Sequence, residues 1–399
     1  MKYSERNLKS DYYPRSEKFI ILAIVVSIAF PMVDAVINRV FQIEFWDSFV
    51  TNGIYYGALI IGTYFALLRS RVEMFKFPIL FLIVWLISYL FFPQNRPFLI
   101  NVIMPILITS MPLFILVITS RDYSRLYNAL RWTSIIVVIA SMINLNLKYL
   151  GTVEQIEYMT FSYNISLSVM FLVLLSIRHK RAKDIMFAIL GFFIIVVSGS
   201  RGALFGIIFG TVFYIFIGTR FTIKKMALIF PIIVFFTVIS TNFKLWIALL
   251  NNSLRLINFE SRTISLLLTN EIDKSDGRDL IYEDSFIYIQ NNWFTGYGMT
   301  GDRVLLNSYP HNIFIELLLQ YGLIFGLFFI LAIIYYLLRP LFNRNKDELY
   351  CVFFAAFFST GFMKLIFSSS YLLEPTFFLM IAFCLLINKK KPRLNYLKH

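Results

Sequence analysis

The chain has 399 residues, of which 58% are hydrophobic and only 15% are charged, with a net charge of +14. A soluble globular domain carries about 25% charged residues, and a mean hydropathy of +0.71 indicates that lipid surrounds much of this chain. A soluble enzyme, a disordered protein and a secreted disulfide scaffold are therefore excluded. The two cysteines lie in apolar runs and there are only three histidines, so we expect no disulfide, no metal site and no cofactor.

Apolar runs that approach the length of a membrane-crossing helix, about 20 residues, occur twelve times along the chain. They lie near 18–37, 49–68, 77–92, 98–119, 131–147, 160–177, 185–200, 202–218, 226–241, 312–338, 349–368 and 371–388. The seventh and eighth runs are separated only by Gly199, Ser200 and Arg201, and could form a tight hairpin or one broken helix. The sequence predicts an all-α integral membrane protein with about 12 transmembrane helices.

The distribution of basic residues predicts the orientation of these helices. If the N-terminus is cytoplasmic and the helices alternate, 26 of the 37 Lys and Arg residues fall on the cytoplasmic side. Short loops on the cytoplasmic side of membrane proteins are enriched in Lys and Arg, so both termini are expected to be cytoplasmic. The excess basic charge then reflects topology and contact with anionic membrane lipids, and we expect no nucleic-acid partner.

The one long hydrophilic segment, residues 242–311, falls on the outer (periplasmic) side between helices 9 and 10. It separates residues 1–241, with helices 1–9, from residues 312–399, with helices 10–12 and a cytoplasmic tail. Apolar residues recur at helical spacing at 254–268 and 280–287, which predicts short amphipathic helices lying against the membrane surface. A solvated linker is the alternative interpretation.

Ionisable residues within membrane helices are costly and usually functional, and here they fall in the outer half of the predicted bundle. They are Asp34, Arg39, Arg96, Arg201, His311, Glu316 and Lys364. Together with Arg278 in the loop, they predict a basic cavity for an anionic lipid head group, because guanidinium groups bind phosphate oxygens in a bidentate manner. Arg39, Arg96 and Lys364 could instead extend to the interface as ordinary snorkelling side chains.

Three sequence motifs in the second half resemble those of the O-antigen ligase/polymerase superfamily. They are S-x-S-R-G-A at 198–203, G-R at 277–278 followed by W-x-x-G-x-G at 293–298, and H-N-x9-G at 311–322. Two departures are visible. Trp293 replaces the usual proline, and Gly326 lies one place later than in the ligase form, which weakens the ligase interpretation.

The resemblance implies a GT-C-like membrane glycosyltransferase in the bacterial inner membrane, which needs no metal. Such an enzyme transfers a glycan, with inversion, from undecaprenyl diphosphate to an acceptor hydroxyl. The acceptor is another lipid-linked repeat unit in a polymerase of O-antigen or capsular polysaccharide, and lipid A-core in a ligase. A flippase and a chain-length regulator are the expected protein partners.

The same resemblance implies roles for particular residues. Arg201 and Arg278 would contact the diphosphate, and His311 would act as a base or contact a phosphate. Apart from the resemblance, Arg262 is the weaker candidate for the role in the loop, should Arg278 prove dispensable. The further candidates for substrate binding are Glu316, Asn312, Arg96 and Lys364.

A transporter, such as a flippase of lipid-linked oligosaccharides, is an alternative from another class, because such proteins also commonly have twelve helices. Its two halves should resemble each other, and no internal repeat is visible in this sequence. A scaffold or assembly factor would leave Arg201 and His311 without a purpose.

Overall fold

The computed structural model describes residues 2–41, 45–69, 72–149, 158–198, 200–218, 278–342 and 347–386. Within these residues the regular structure is entirely helical, which confirms the predicted all-α class. The helices are α1 (Lys2–Phe41), α2 (Phe45–Leu67), α3 (Lys76–Phe91), α4 (Arg96–Pro105), α5 (Met111–Thr119), α6 (Tyr123–Tyr149), α7 (Tyr158–His179), α8 (Ala182–Ser198), α9 (Arg201–Gly218), α10 (Arg278–Asn291), α11 (Gly301–Leu306), α12 (Ile313–Phe342), α13 (Glu348–Phe357), α14 (Met363–Phe367) and α15 (Pro375–Leu386). Short π-helical turns, Ile106–Ser110 and Phe358–Phe362, join α4 to α5 and α13 to α14.

Seven helical segments in the described part of the chain are long and apolar enough to cross a membrane. They are Arg15–Asn38, Pro93–Thr119, Tyr123–Leu147, Met159–His179, Arg201–Gly218, Ile313–Phe342 and Glu348–Phe367, while Lys76–Phe91 and Pro375–Leu386 are apolar but shorter. This is the pattern of a multi-pass membrane protein; the count of twelve spans stays a prediction. The predicted run 226–241, the loop pattern at 254–268 and Arg262 lie outside the described residues.

Helix α7 lies at the centre of the packing, and Ile165, Val169 and Leu172 on it are fully buried. The seventh and eighth apolar runs form two separate helices, α8 and α9, and glycines bring both of them close to α7. A Cβ at Gly191 of α8 would lie 2.5 Å from Val169, and one at Gly210 of α9 would lie 2.9 Å from Met170. Small residues allow such close contact between membrane helices.

The predicted helix 312–338 is broken in the structure, because Gly322 has backbone angles (φ 68°, ψ −176°) that no α-helix contains. Beyond the break the chain folds back sharply, and a Cβ at Gly326 would lie 2.7 Å from the carbonyl oxygen of Leu317. The prediction of one uninterrupted helix was wrong because periodic apolar residues continue on both sides of Gly322. The break places the first segment of α12, residues 313–321, among the polar residues described below.

Candidate functional site

The two glycine motifs of the second half meet at the break in α12. The turn at 293–298 follows α10, and Gly296 and Gly298 there have positive φ values of 65° and 77°. The amides of Tyr297 and Gly298 donate to the carbonyls of Leu319 and Gln320, at 3.1 and 2.7 Å. These carbonyls would otherwise be left unpaired where the helix unwinds, and an unpaired buried carbonyl is costly. We call residues 293–298 together with residues 319–323 the turn–break clamp.

The S-x-S-R-G-A motif forms the junction between α8 and α9. Ser198 ends α8, and its hydroxyl lies 2.6 Å from that of Ser162 on α7. Ser200 is buried and accepts a hydrogen bond from the amide of Ala203, as an N-cap residue does.

Arg201, the first residue of α9, is exposed. Gly202 leaves room for the hydroxyl of Tyr163, and a Cβ at Gly202 would lie 3.4 Å from Phe367. The exposed Arg201 therefore stands beside the end of α14.

Arg278 and His311 both bind carbonyl groups at the end of α14. The Nη1 of Arg278, the first residue of α10, donates to the carbonyl of Phe367 at 2.7 Å. His311 Nδ1 lies 3.0 Å from the carbonyl oxygen of Ser368. The last carbonyls of a helix have no partner within it and carry partial negative charge, so cationic and N–H-bearing side chains are favoured there. Arg278 and His311 thus meet at the end of α14, and α9, which begins at Arg201, packs beside it.

The hydrogen bond to Ser368 determines which ring nitrogen of His311 carries hydrogen. A carbonyl oxygen can only accept, so Nδ1 is the donor, and Nε2 of the neutral ring keeps its lone pair. Partial burial, with a smaller contribution from the charge of Arg278, lowers the pKa of His311 below its ordinary value of 6.5. The neutral form with a free Nε2 is therefore the form present at neutral pH.

His311 lies two residues before the first residue of α12 and is not part of that helix. Its φ is 55°, a left-handed conformation uncommon for non-glycine residues and often found at functional sites. Asn312 is the cap of α12 instead, because its Oδ1 accepts from the amides of Phe314 and Ile315, at 3.0 and 3.4 Å. The amide side chain of Asn312 thus has a structural use at the start of this helix.

The remaining predicted residues have their own partners. Lys364 forms an ion pair with Glu374 and lies 4.9 Å from the ring centre of Tyr163. Since the Tyr163 hydroxyl reaches Ser368 and Ser200, Lys364 belongs to the neighbourhood of His311. Arg96 is exposed and donates to the carbonyl of Tyr89 at 3.0 Å, so no described contact joins it to the end of α14. Binding of substrate by any of these residues stays a prediction.

Glu316 is fully buried, with 0% of its surface exposed, in a network of polar side chains. Its Oε1 accepts from the hydroxyl of Ser370 at 2.5 Å and lies 3.8 Å from Nη1 of Arg303. Arg303 also pairs with Asp302 at 3.1 Å, and Gln320 donates to Asp302 at 2.6 Å. Burial raises the pKa of Asp302 above its ordinary range. Among the described residues, Arg303 is thus the arginine that Glu316 faces.

The comparisons with known proteins agree with the motifs. The sequence profile of a family described as O-antigen ligase matches residues 186–331. This match supports the assignment of that part of the chain to the O-antigen ligase/polymerase superfamily. No curated protein and no solved structure matches the chain.

The matching profile begins within α8 and ends within α12, and it includes Arg201, Arg278 and His311. The carbonyl groups that bind Arg278 and His311 belong to Phe367 and Ser368, which lie outside the profile. Sequence reasoning missed both carbonyl groups, because backbone acceptors leave no trace in a sequence.

Three further side chains of this O-antigen ligase-like domain or its surroundings were not predicted from the sequence, namely Arg303, Tyr309 and Tyr163. The adjacent charges of Asp302 and Arg303, between the glycine turn and His311, were a signal that could have drawn attention to Arg303. Tyr163 lies within an ordinary apolar run and offered no such signal. Among the described residues, no three His, Cys, Asp or Glu side chains are grouped as they would be to hold a metal ion.

Proposed function

We propose that this protein is an inverting membrane glycosyltransferase that polymerises oligosaccharide repeat units linked to undecaprenyl diphosphate. The observation that carries the proposal is that Arg278 and His311 meet at the end of α14, beside the start of α9 where Arg201 lies. The three residues come from separate parts of the chain, and Arg278 and His311 place a cationic group and a neutral imidazole at the same helix end. The polymer would be O-antigen or capsular polysaccharide, made at the outer face of the bacterial inner membrane.

The two arginines suit the diphosphate of the donor. The bond from Arg278 to the Phe367 carbonyl uses one of its five N–H groups, and a guanidinium can bind phosphate oxygens with the others. Arg201 is exposed at the first turn of α9, where the helix dipole also favours an anion. Negative charge develops on the diphosphate as the glycosidic bond breaks, and fixed cations stabilise that charge.

His311 suits the role of general base. The acceptor hydroxyl attacks the anomeric carbon of the donor sugar, its proton passes to Nε2 of His311, and undecaprenyl diphosphate leaves with the bonding electron pair. A phosphate contact by the same nitrogen would require an N–H at Nε2. With Nδ1–H committed to Ser368, Nε2 has a hydrogen only in the charged ring, which burial and Arg278 disfavour. The base is therefore the better supported of the two roles.

The acceptor is tested by giving the purified protein lipid-linked repeat units alone. We expect a ladder of polymer in the absence of lipid A-core. Product that forms only after lipid A-core is added would support the ligase, the second candidate, which the description of the matching profile favours. Movement of intact lipid-linked oligosaccharide across a vesicle membrane without any new glycosidic bond would support a transporter and refute the proposal.

The role of His311 is tested in the same assay with two variants. His311→Gln places an amide N–H near the position of Nε2, and His311→Asn places one near Nδ1, but neither can accept a proton at neutral pH. A positioned base contributes about 10²–10⁴-fold, so both variants should lose activity on that scale. Substantial turnover by His311→Gln with weaker donor binding would instead indicate a phosphate contact, and the glycosyltransferase proposal would stand without the base.

A further inference from the structure

Arg303 lies between the ring of Tyr309 and the turn at residues 368–370, and His311 contacts both the ring and this turn. On one side, its guanidinium carbon lies 5.6 Å from the ring centre of Tyr309, and the Tyr309 ring lies 4.3 Å from the ring of His311. On the other side, Nη2 of Arg303 donates to the hydroxyl of Ser370 at 2.9 Å. Ser370 is two residues from Ser368, whose carbonyl accepts from His311 Nδ1.

Arg303 is itself rigidly held. Only 7% of its surface is exposed, and it pairs with Asp302 and approaches Glu316, as described above. Asp302, its partner, is held in turn by Gln320, which donates a hydrogen bond to Asp302 and accepts one from the hydroxyl of Tyr371 at 2.7 Å. Buried networks in which such groups are paired fix side-chain geometry, and neither an ammonium nor an amide can reproduce the planar fork of a guanidinium.

The backbone of His311 makes such support necessary. Its left-handed conformation (φ 55°) is intrinsically unfavourable for a residue with a side chain, and it persists only where surrounding contacts impose it. The ring contact with Tyr309 and the carbonyl of Ser368 are the described contacts of the imidazole. Arg303 contacts the ring of Tyr309, and it also contacts Ser370 in the turn that carries the carbonyl of Ser368.

We propose that Arg303 is a positioning residue for His311, which it holds through Tyr309 on one side and through the Ser370 turn on the other. The contacts keep Nδ1–H directed at Ser368 and thereby keep Nε2 free. That this positioning serves catalysis rests on the proposed function, whereas the positioning of His311 by Arg303 does not. Arg303 does not need to touch the substrate.

The tautomer of His311 can be measured without any substrate. The chain has only three histidines, so protein with ¹³C,¹⁵N-labelled histidine in lipid bilayers gives few imidazole signals in solid-state NMR, and His311→Gln identifies those of His311. We expect Nδ1–H alone in the wild-type protein at alkaline pH. Arg303→Lys keeps the charge but cannot bridge both neighbours, and should show both tautomers.

The control is Arg178→Lys. Arg178 pairs with Glu348 at 3.2 Å and lies 5.4 Å from the ring centre of Tyr127, which in turn contacts the ring of His179. The same kinds of contact thus occur away from His311, and the tautomer of His311 should not change in this variant. Tyr309→Leu is a second test that leaves every ion pair of Arg303 in place, and it should release His311 as Arg303→Lys does, whereas Tyr309→Phe should not.

An unchanged Nδ1–H signal in both Arg303→Lys and Tyr309→Leu would overturn the proposal. If the wild-type protein makes polymer, Arg303→Lys should lower kcat by up to about 10²-fold, which is the effect of a misplaced catalytic group. The KM for the donor should not change. A raised KM with unchanged kcat would place Arg303 in donor binding and would also contradict the proposal. If the tautomer responds as expected but no glycan is transferred, the proposed function fails and the positioning stands.

Discussion

The turn–break clamp offers the sharpest test of how this domain is built. Gly322 has φ 68° and ψ −176°, a region that is essentially restricted to glycine. A Cβ there would lie 2.8 Å from the amide nitrogen of Gly296 and would also collide with the carbonyl of Phe294. Gly322→Ala therefore cannot be accommodated unless the turn moves away from the helix.

The cost can be worked out from the contacts that would be lost. Three backbone hydrogen bonds join the two segments, from Tyr297 to Leu319, from Gly298 to Gln320 and from Leu323 to Trp293, at 3.1, 2.7 and 2.6 Å. Each contributes about 1 kcal/mol net, and forcing alanine into this backbone region costs about 1–3 kcal/mol. We expect Gly322→Ala to lower the free energy of unfolding by about 4–6 kcal/mol, a large part of the stability of an ordinary domain.

Thermal unfolding of the purified protein in one detergent measures this effect. Gly57→Ala on α2 is the matched control, because nothing lies within 4 Å of a Cβ at that position, and alanine is about 1 kcal/mol better than glycine in a helix. Gly57→Ala should melt at or above the wild-type temperature, and Gly322→Ala many degrees below it. Equal melting of the two variants would refute the reasoning about the clamp.

Three further predictions concern the site and its orientation. Alanine at Arg201 or Arg278 should abolish polymer formation without lowering the amount of protein, and lysine should restore polymer only in part because it lacks the bidentate fork. Polymer of normal length from Arg201→Ala would mean that Arg201 is structural. In an NMR titration the pKa of His311 should lie below its ordinary value of about 6.5, because burial and Arg278 disfavour the imidazolium, and Arg278→Gln should raise the titration midpoint. Activity should be lost as the pH falls through the measured midpoint, and a midpoint above 6.5 would contradict the assignment. Reporter fusions at 150, 270 and 370 should report the outer side and fusions at 73, 222 and 345 the cytoplasm, and a cytoplasmic signal at 270 would reverse the proposed orientation.

Composition and pattern were sufficient for the class of fold. Long apolar runs must form helices in lipid, because every backbone N–H and C=O group has to be paired within the segment. Outside 226–241, each predicted run overlaps a helix of the described residues. The candidate residues Arg201 and His311 could also be chosen from the sequence, because an ionisable side chain in or beside an apolar run is conspicuous, and Arg278 could be chosen from the G-R motif. The matching profile independently covers all three.

Only the tertiary structure decided how these residues are used. The break at Gly322 could not be derived from periodicity. It depends on backbone amides that a turn more than twenty residues earlier in the chain donates to the carbonyls of the unwound helix. The carbonyls of Phe367 and Ser368, which orient Arg278 and His311, have the same chemistry as any other backbone carbonyl, so nothing in the sequence marks them. Arg303 likewise became significant only when folding placed it between Tyr309 and Ser370. The sequence determines which groups are costly to bury in lipid, and the packing of distant segments determines the partners that compensate that cost.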